Sequence, residues 1–270
     1  MTDYPLFQVD AFASKAFQGN PACVMPMSDF LSDDMLQAIA AENNVAETAY
    51  IVPAGEGRWK LRWFTPTTEV PLCGHATLAS AHILFTELGF DGDRIIFETV
   101  HSGELIVQKT SDGYEMDFPR PDVTEISVDE AVVEALGARP VAAYSGPFLA
   151  TVFETAADVT SLNPDIRALG ALGVLDGCDR GNIGCLAVDG NDVDVTSRFF
   201  APASGIDEDP ATGSWHCMLS AVMVARTGRT ELACYQAFPG RGAYIGTRCE
   251  GQRIKLSGQA VTIISGKFAL

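Results

Sequence analysis

Apolar and polar residues alternate over Phe7-Gln8-Val9-Asp10-Ala11-Phe12, which predicts a strand. Gly19-Asn20-Pro21 interrupts the pattern, and Ala22-Cys23-Val24-Met25 resumes it. Residues 28–44 read as a helix, with Asp33 and Asp34 in its first turn, Leu36, Ile39 and Ala40 on one face, and Asn43-Asn44 at its end. Strands are predicted over 46–52, 59–64, 95–99, 103–109 and 114–118, and a helix over 76–88 that Gly89 stops. Two prolines in Pro119-Arg120-Pro121 can neither continue a sheet nor enter a helix interior, so a lobe boundary belongs there.

A second series follows. Helices are predicted near 128–136, 165–172 and 212–227, and strands near 142–144, 148–153, 183–188, 194–199, 233–238, 243–250 and 253–257. The lobes are then 1–118 and 119–258, and a last strand within 259–270 could close either one. Strands outnumber helices and long helices are few. That argues for an α+β protein whose sheets curl round a central helix, since a doubly wound sheet would show regular βα alternation.

The two series contain a repeat. Arg62-Trp63-Phe64-Thr65-Pro66 returns as Arg198-Phe199-Phe200-Ala201-Pro202, and Cys73 and Asp209 each stand eleven positions after their arginine. Small residues and an apolar helix come next in both copies, Gly74-His75-Ala76-Thr77 in one and Pro210-Ala211-Thr212-Gly213-Ser214 in the other. Two such units related by a pseudo-twofold would turn two helix starts toward one cleft. Each start offers unpaired N–H groups and about half a unit of positive charge. Glycines at 74 and 213 would let a ligand approach the backbone. Such a site suits a small carboxylate and the negative charge left when a proton leaves its α-carbon.

Composition narrows the choice of partner. The chain carries 18 Lys and Arg against 35 Asp and Glu, a formal net charge of −17, and the basic residues are scattered. Nucleic acid and anionic membrane are therefore excluded as expected partners. No apolar run approaches the ~18 residues that span a bilayer, and no signal peptide is visible at the start. Seven cysteines without a C-x-x-C pair point to a reducing, cytoplasmic setting and away from structural zinc. His75 and His82 are roughly two helical turns apart, ~10 Å, too far to share an ion, so no metal is expected.

Four segments carry a family resemblance: Gly19-Asn20-Pro21-Ala22, Asn44-Val45-Ala46-Glu47-Thr48-Ala49, Cys73-Gly74-His75-Ala76-Thr77 and Glu208-Asp209-Pro210-Ala211-Thr212-Gly213-Ser214. In order and spacing they resemble the phenazine-biosynthesis-isomerase-like (PhzF-like) family over nearly the whole chain. The resemblance implies the diaminopimelate-epimerase-like fold, two similar lobes with a mostly antiparallel sheet round a central helix in each. It also implies a homodimer and a cofactor-free isomerase that moves a proton between carbons of a small, cyclic carboxylate. Glu47 matches the residue that is base and then acid, and His75, Asp209, Gly74, Gly213 and Ser214 match pocket positions. Related epimerases use one thiol per lobe; here Cys73 stands in the first lobe and Asp209 in the second, which departs from that pattern.

Residue chemistry leaves alternatives beside this. Glu47 enters an apolar strand, where desolvation should raise its pKa toward neutrality, although a solvated strand-edge carboxylate would look the same. His75 is a substrate donor, a proton relay or a helix cap. Asp209 and Ser214 are substrate contacts or ordinary first-turn residues. Cys73 is a thiol whose pKa a helix start should lower, or an apolar filler. Asn20 is a site residue or turn chemistry. The competing functions are an amino-acid epimerase using Cys73 and a non-catalytic carboxylate-binding protein.

Overall fold

The structure, a computed structural model, describes residues 2–190 and 192–270. The chain divides into two compact units. One runs through Asp117 and takes in Ser257–Leu270; the other is Phe118–Leu256.

In the first unit the strands lie in the order Ala260–Ala269, Asp3–Ala11, Asn20–Pro26, Glu47–Gly55, Arg58–Phe64, Arg94–Thr99, Glu104–Thr110 and Gly113–Pro119. Two junctions are parallel, Asn20–Pro26 with Glu47–Gly55 and Arg58–Phe64 with Arg94–Thr99, and the others are antiparallel. Parallel neighbours need a crossover, and a helix lies in each: Asp33–Asn43 in the first and Gly74–Thr86 in the second. The two helices have different roles. Asp33–Asn43 buries Leu36, Ile39 and Ala40 on one face, against Tyr50, Val52 and Phe64. Gly74–Thr86 is buried on every side from His75 to Phe85, as its nearly continuous apolar sequence requires.

The second unit repeats this plan. Its strands run Thr124–Ile126, Ala142–Ser145, Phe148–Val152, Cys178–Val188, Val195–Phe200, Glu231–Gln236 and Ala243–Glu250. The parallel junctions again fall third and fifth across the sheet. Short helices Ala156–Thr160 and Ile166–Gly170 occupy the first crossover, and the buried helix Gly213–Thr227 occupies the second. Sheet and helix approach closely here: a Cβ on Gly184 would sit 2.1 Å from the ring of Trp215, so the strand needs glycine where it crosses the helix.

The repeated Arg-x-Phe segments do the same job in both units. Arg62 lies over the Phe64 ring at 5.1 Å and Arg198 over Phe200 at 4.7 Å. Each guanidinium then grips a downstream carboxylate with two nitrogens, Glu69 at 2.7 Å for both bonds and Glu208 at 2.8 Å for both. The turn between strand and central helix is thereby tied back to the strand it leaves. Arg198 also donates to the Leu162 carbonyl at 2.6 Å.

Several expectations shift. The first helix begins at Asp33 because Ser32 is extended (φ −62°, ψ 151°), which leaves residues 28–31 outside it. Asn20 and Pro21 belong to a strand, paired with Ala11 and Asp10, where a break was expected. The central helix of the first unit starts at Gly74, so His75 stands in its first turn. Counting eleven residues from each arginine does not reach equivalent places. Cys73 caps its helix, whereas the cap of the second helix is Thr212, and Asp209 lies three residues earlier in a longer turn that includes Pro202–Ser204. Among the described residues no helix is long and apolar enough to cross a membrane.

The two arginine grips differ in burial, with side-chain exposures of 7% and 11% for Arg198 and Glu208 against 13% and 28% for Arg62 and Glu69. Glu208→Gln should therefore cost roughly 3–5 kcal/mol in urea unfolding, because it strands a buried guanidinium. Glu69→Gln should cost about 1 kcal/mol or less, because water reaches that pair. Equal costs would contradict this ranking.

Candidate active site

A cluster of polar side chains gathers at the start of the first unit's central helix. Its parts come from three places in the sequence. Gly19 has φ +61°, and a Cβ there would lie 2.0 Å from the Ala11 carbonyl oxygen, so only glycine makes this turn. The turn delivers Asn20 to the first position of its strand with no exposed surface. The neighbouring parallel strand opens with Glu47, opposite Ala22. Asn44, in the left-handed region at φ 49°, ends the preceding helix and turns the chain toward that strand. Cys73 caps the central helix, and His75 is its second residue.

The side chains converge on the His75 ring. Glu47 Oε2 stands 2.9 Å from His75 Nε2, close enough for an ion pair though off the line of a hydrogen bond. The Asn20 amide nitrogen lies 3.2 Å from His75 Nδ1, and Cys73 Sγ lies 3.5 Å from the same atom. The His75 and Glu47 side chains are 7% and 17% exposed. Thr77 donates to the Cys73 carbonyl at 2.6 Å, a helix-start bond rather than a part of the cluster's chemistry.

Electrostatics here reverse two expectations. Burial pushes the Glu47 carboxyl up, but the charge on His75 and contacts with His75 and Cys73 bring it below the usual carboxylate value. For His75 burial works downward, and Cys73 and Glu47 outweigh it, so the imidazole is held protonated well above its ordinary value. Glu47 and His75 thus rest as carboxylate and imidazolium. The Cys73 thiol is raised, first by burial and then by Glu47, despite its place at a helix start. It rests as a neutral thiol because burial, reinforced by the carboxylate beside it, overrides the helix dipole.

Donor atoms of Glu47, Cys73 and His75 all lie within 4.8 Å of one another, a spacing that a cation could bridge. The carboxylate and the imidazole nonetheless meet directly, and we read them as an ion pair rather than as a ligand set. His82 is engaged elsewhere, with Tyr114 Oη at 2.8 Å and Thr262 Oγ1 at 3.0 Å.

The second unit holds its own polar cluster at the start of Gly213–Thr227. Thr212 Oγ1 donates to the Asp209 carboxylate, and Asp209 N donates to the Phe199 carbonyl at 3.0 Å. Gln236 ties the turn together: its Nε2 donates to Asp209 O at 2.6 Å and to Thr212 Oγ1 at 3.2 Å, while its Oε1 accepts from Thr212 N at 2.9 Å. Gly213 is buried and Ser214 is exposed. His216 is fully buried, and desolvation pushes its pKa down to about 4, so it is neutral and serves the Thr212 carbonyl through Nδ1 at 2.9 Å.

Gln236 and Thr212 are the residues that sequence reasoning missed. A signal existed for the first: Leu232, Cys234 and Gln236 share the buried face of one strand, and a glutamine in that row needs partners.

Comparison with known proteins agrees with this architecture. The phenazine biosynthesis-like protein family (PhzC-PhzF) matches residues 9–266. An uncharacterized isomerase of Pseudomonas aeruginosa is 41% identical over 97% of both chains. A solved PhzF-family phenazine biosynthesis protein of Enterococcus faecalis superposes with a TM-score of 0.93 at 36% identity, covering 100% of each chain. At the level of fold alone, a hydroxyproline epimerase of Agrobacterium vitis matches with a TM-score of 0.62 at 11% identity, over 99% of this chain and 93% of its own. The repeated sheet-and-helix plan is thus the diaminopimelate-epimerase-like one. With the family model matching nearly end to end and the Pseudomonas isomerase 41% identical over 97% of the chain, the chain belongs to the phenazine biosynthesis-like (PhzC-PhzF) family of isomerases.

Proposed function

We propose that the chain shifts a proton between two carbons of a small cyclic carboxylate, with Glu47 as the base that takes the proton and the acid that returns it. The observation that carries this reading is the Glu47–His75 pair, 2.9 Å apart and mostly shielded from water at a helix start. In the reaction a substrate C–H bond breaks, the proton passes to a Glu47 oxygen, and the electron pair spreads into the substrate's own unsaturated framework. Return of that proton to a second carbon completes the isomerisation with no oxidant or reductant. The N-terminal end of Gly74–Thr86 favours the negative charge in between.

The resting charges fit these roles. A lowered pKa keeps Glu47 ionised at neutral pH, the form a base needs. Its basicity is weak while imidazolium stands beside it. A substrate carboxylate attracted to His75 shares that positive charge and displaces water, which makes Glu47 a stronger base when substrate is present. Asp209, Gly213 and Ser214 are proposed, on the family resemblance, as further substrate contacts. The thiol route is disfavoured by the raised Cys73, a poor base at neutral pH.

The test is NMR in D₂O with a panel of small cyclic and amino carboxylates. Deuterium should enter a carbon position with the wild-type protein and not with Glu47→Gln, a loss of at least about 100-fold, while binding of the carboxylate persists. A fully active Gln variant would overturn the assignment.

A second expectation concerns pH. Glu47 has a lowered folded pKa, so its contribution to stability is present above the ordinary value of 4.5 and is lost as pH falls through the folded one. His75 has a raised folded pKa, so its contribution is present below 6.5 and is lost as pH rises through the folded value. Activity should therefore form a plateau across neutrality, with limbs that belong to the coupled pair. In Glu47→Gln, burial acts on His75 without the carboxylate, and a ¹⁵N titration should find its pKa lowered relative to wild type. An unchanged His75 titration would show that the two groups do not interact.

A further inference from the structure

The proposed reaction uses Glu47 and His75, but it gives no task to Asn20, the centre of the Gly19-Asn20-Pro21 motif. The structure gives that residue an unusual setting. Gly19 makes a turn no other residue can make, and Asn20 then joins its strand opposite Ala11. Pro21, with φ fixed by its ring, continues the strand. The result is a carboxamide with no exposed surface whose Nδ2 stands 3.2 Å from His75 Nδ1.

The imidazole therefore has two differently occupied nitrogens. Nε2 looks at Glu47, and Nδ1 looks at Asn20, with Cys73 Sγ at 3.5 Å as its other neighbour. These are the charged and titratable groups that face the ring from the two strands and from the helix cap. A carboxamide can turn either its NH₂ or its oxygen to the ring by rotation about its last side-chain bond. With the oxygen toward the ring, Nδ1 keeps its proton whether His75 is charged or neutral. With the NH₂ toward the ring, Nδ1 must be a bare acceptor and His75 neutral, so the resting imidazolium takes the oxygen-facing orientation. In both orientations Asn20 occupies Nδ1, and any proton that His75 shares with Glu47 or with substrate moves at Nε2.

We propose that Asn20 is a positioning residue that holds His75 Nδ1 and so dedicates Nε2 to proton sharing with Glu47, rather than a residue that touches substrate. The inference rests on the proton-shift reading for its effect on turnover, but its effect on His75 is independent of that reading. Asn20 differs from the carboxylate that orients many catalytic histidines in one respect. Being neutral, it fixes the ring without adding a second negative charge beside Glu47, and so leaves the charge state of His75 to Glu47 and to the bound substrate.

The experiment compares wild type with Asn20→Asp, Asn20→Ala and Asn20→Ser by long-range ¹H–¹⁵N NMR of the His75 ring between pH 5 and 10, with thermal melts to confirm folding. Asn20→Asp should keep His75 doubly protonated to a higher pH than wild type, by about one unit or more. At pH values where the ring is neutral, Asn20→Ala should shift its nitrogens toward a mixture of tautomers, and Asn20→Ser stands in if the alanine variant does not fold. With a substrate found in the D₂O screen, Asn20→Ala should lower kcat at least about tenfold with little change in KM. His75 resonances that are unchanged in the folded variants would overturn the proposal. So would a rise in KM at constant kcat, which would make Asn20 a substrate contact. If Glu47→Gln remains active while the Asn20 variants still alter His75, the function reading fails and the coupling of Asn20 to His75 stands.

Discussion

A helix with apolar residues on every side has no face to give to water, and the rest of this fold follows from that constraint. From His75 to Phe85 the first central helix is buried all round, and Trp215 to Met223 repeat the condition in the second unit. A flat sheet covers one side of a helix, so each sheet must curl to cover the others. The two parallel junctions in each sheet are where the chain crosses over, and the buried helix always occupies the second of them. Polar side chains inside the first helix are buried only with partners, Ser80 on the Ala76 carbonyl and His82 on Tyr114 and Thr262, whereas the helix start offers backbone N–H groups that lack partners. Both polar clusters lie there.

This explains why a polar cluster that is costly to bury is stable where it is. Glu47, His75, Cys73 and Asn20 come from two strand starts and a helix start, and each satisfies part of another's need. The charges are paired rather than neutralised, because a carboxylate and an imidazole at 2.9 Å gain from each other what burial takes from both. In the second unit the same position is filled by hydrogen bonds among Thr212, Asp209 and Gln236. Gln236 reaches from a strand to hold the turn, and His216 is uncharged.

Much of this was legible in the sequence, and the gaps have a common cause. The strands and central helices followed from local periodicity, and Arg62 and Arg198 marked equivalent strands because each pairs with the ring two residues on and with a glutamate downstream. The motifs carrying Asn20, Glu47 and His75 were also readable. The direction of the Glu47 shift was not, because it depends on a histidine 28 positions later in the chain, and strand composition reports only the desolvation. The raised Cys73 thiol was hidden partly for the same reason, because Glu47 adds to what burial does. The matching of Cys73 to Asp209 assumed turns of equal length, whereas Gly74 follows Arg62 by 12 positions and Gly213 follows Arg198 by 15. Gln236 was visible only as a polar residue on a buried strand face.

The pairing of Asp3–Ala11 with Ala260–Ala269 has a consequence for how the protein is made. The second unit is one continuous stretch, Phe118–Leu256, and every residue it needs has been synthesised before the last strand exists. The first unit begins earlier but remains open, because the strand that covers Asp3–Ala11 is synthesised only after the whole of the second unit. Its edge waits through most of translation with unpaired backbone groups, a state that favours mispairing. Order of synthesis and order of completion are therefore opposite in the two halves: the unit begun first is the one finished last.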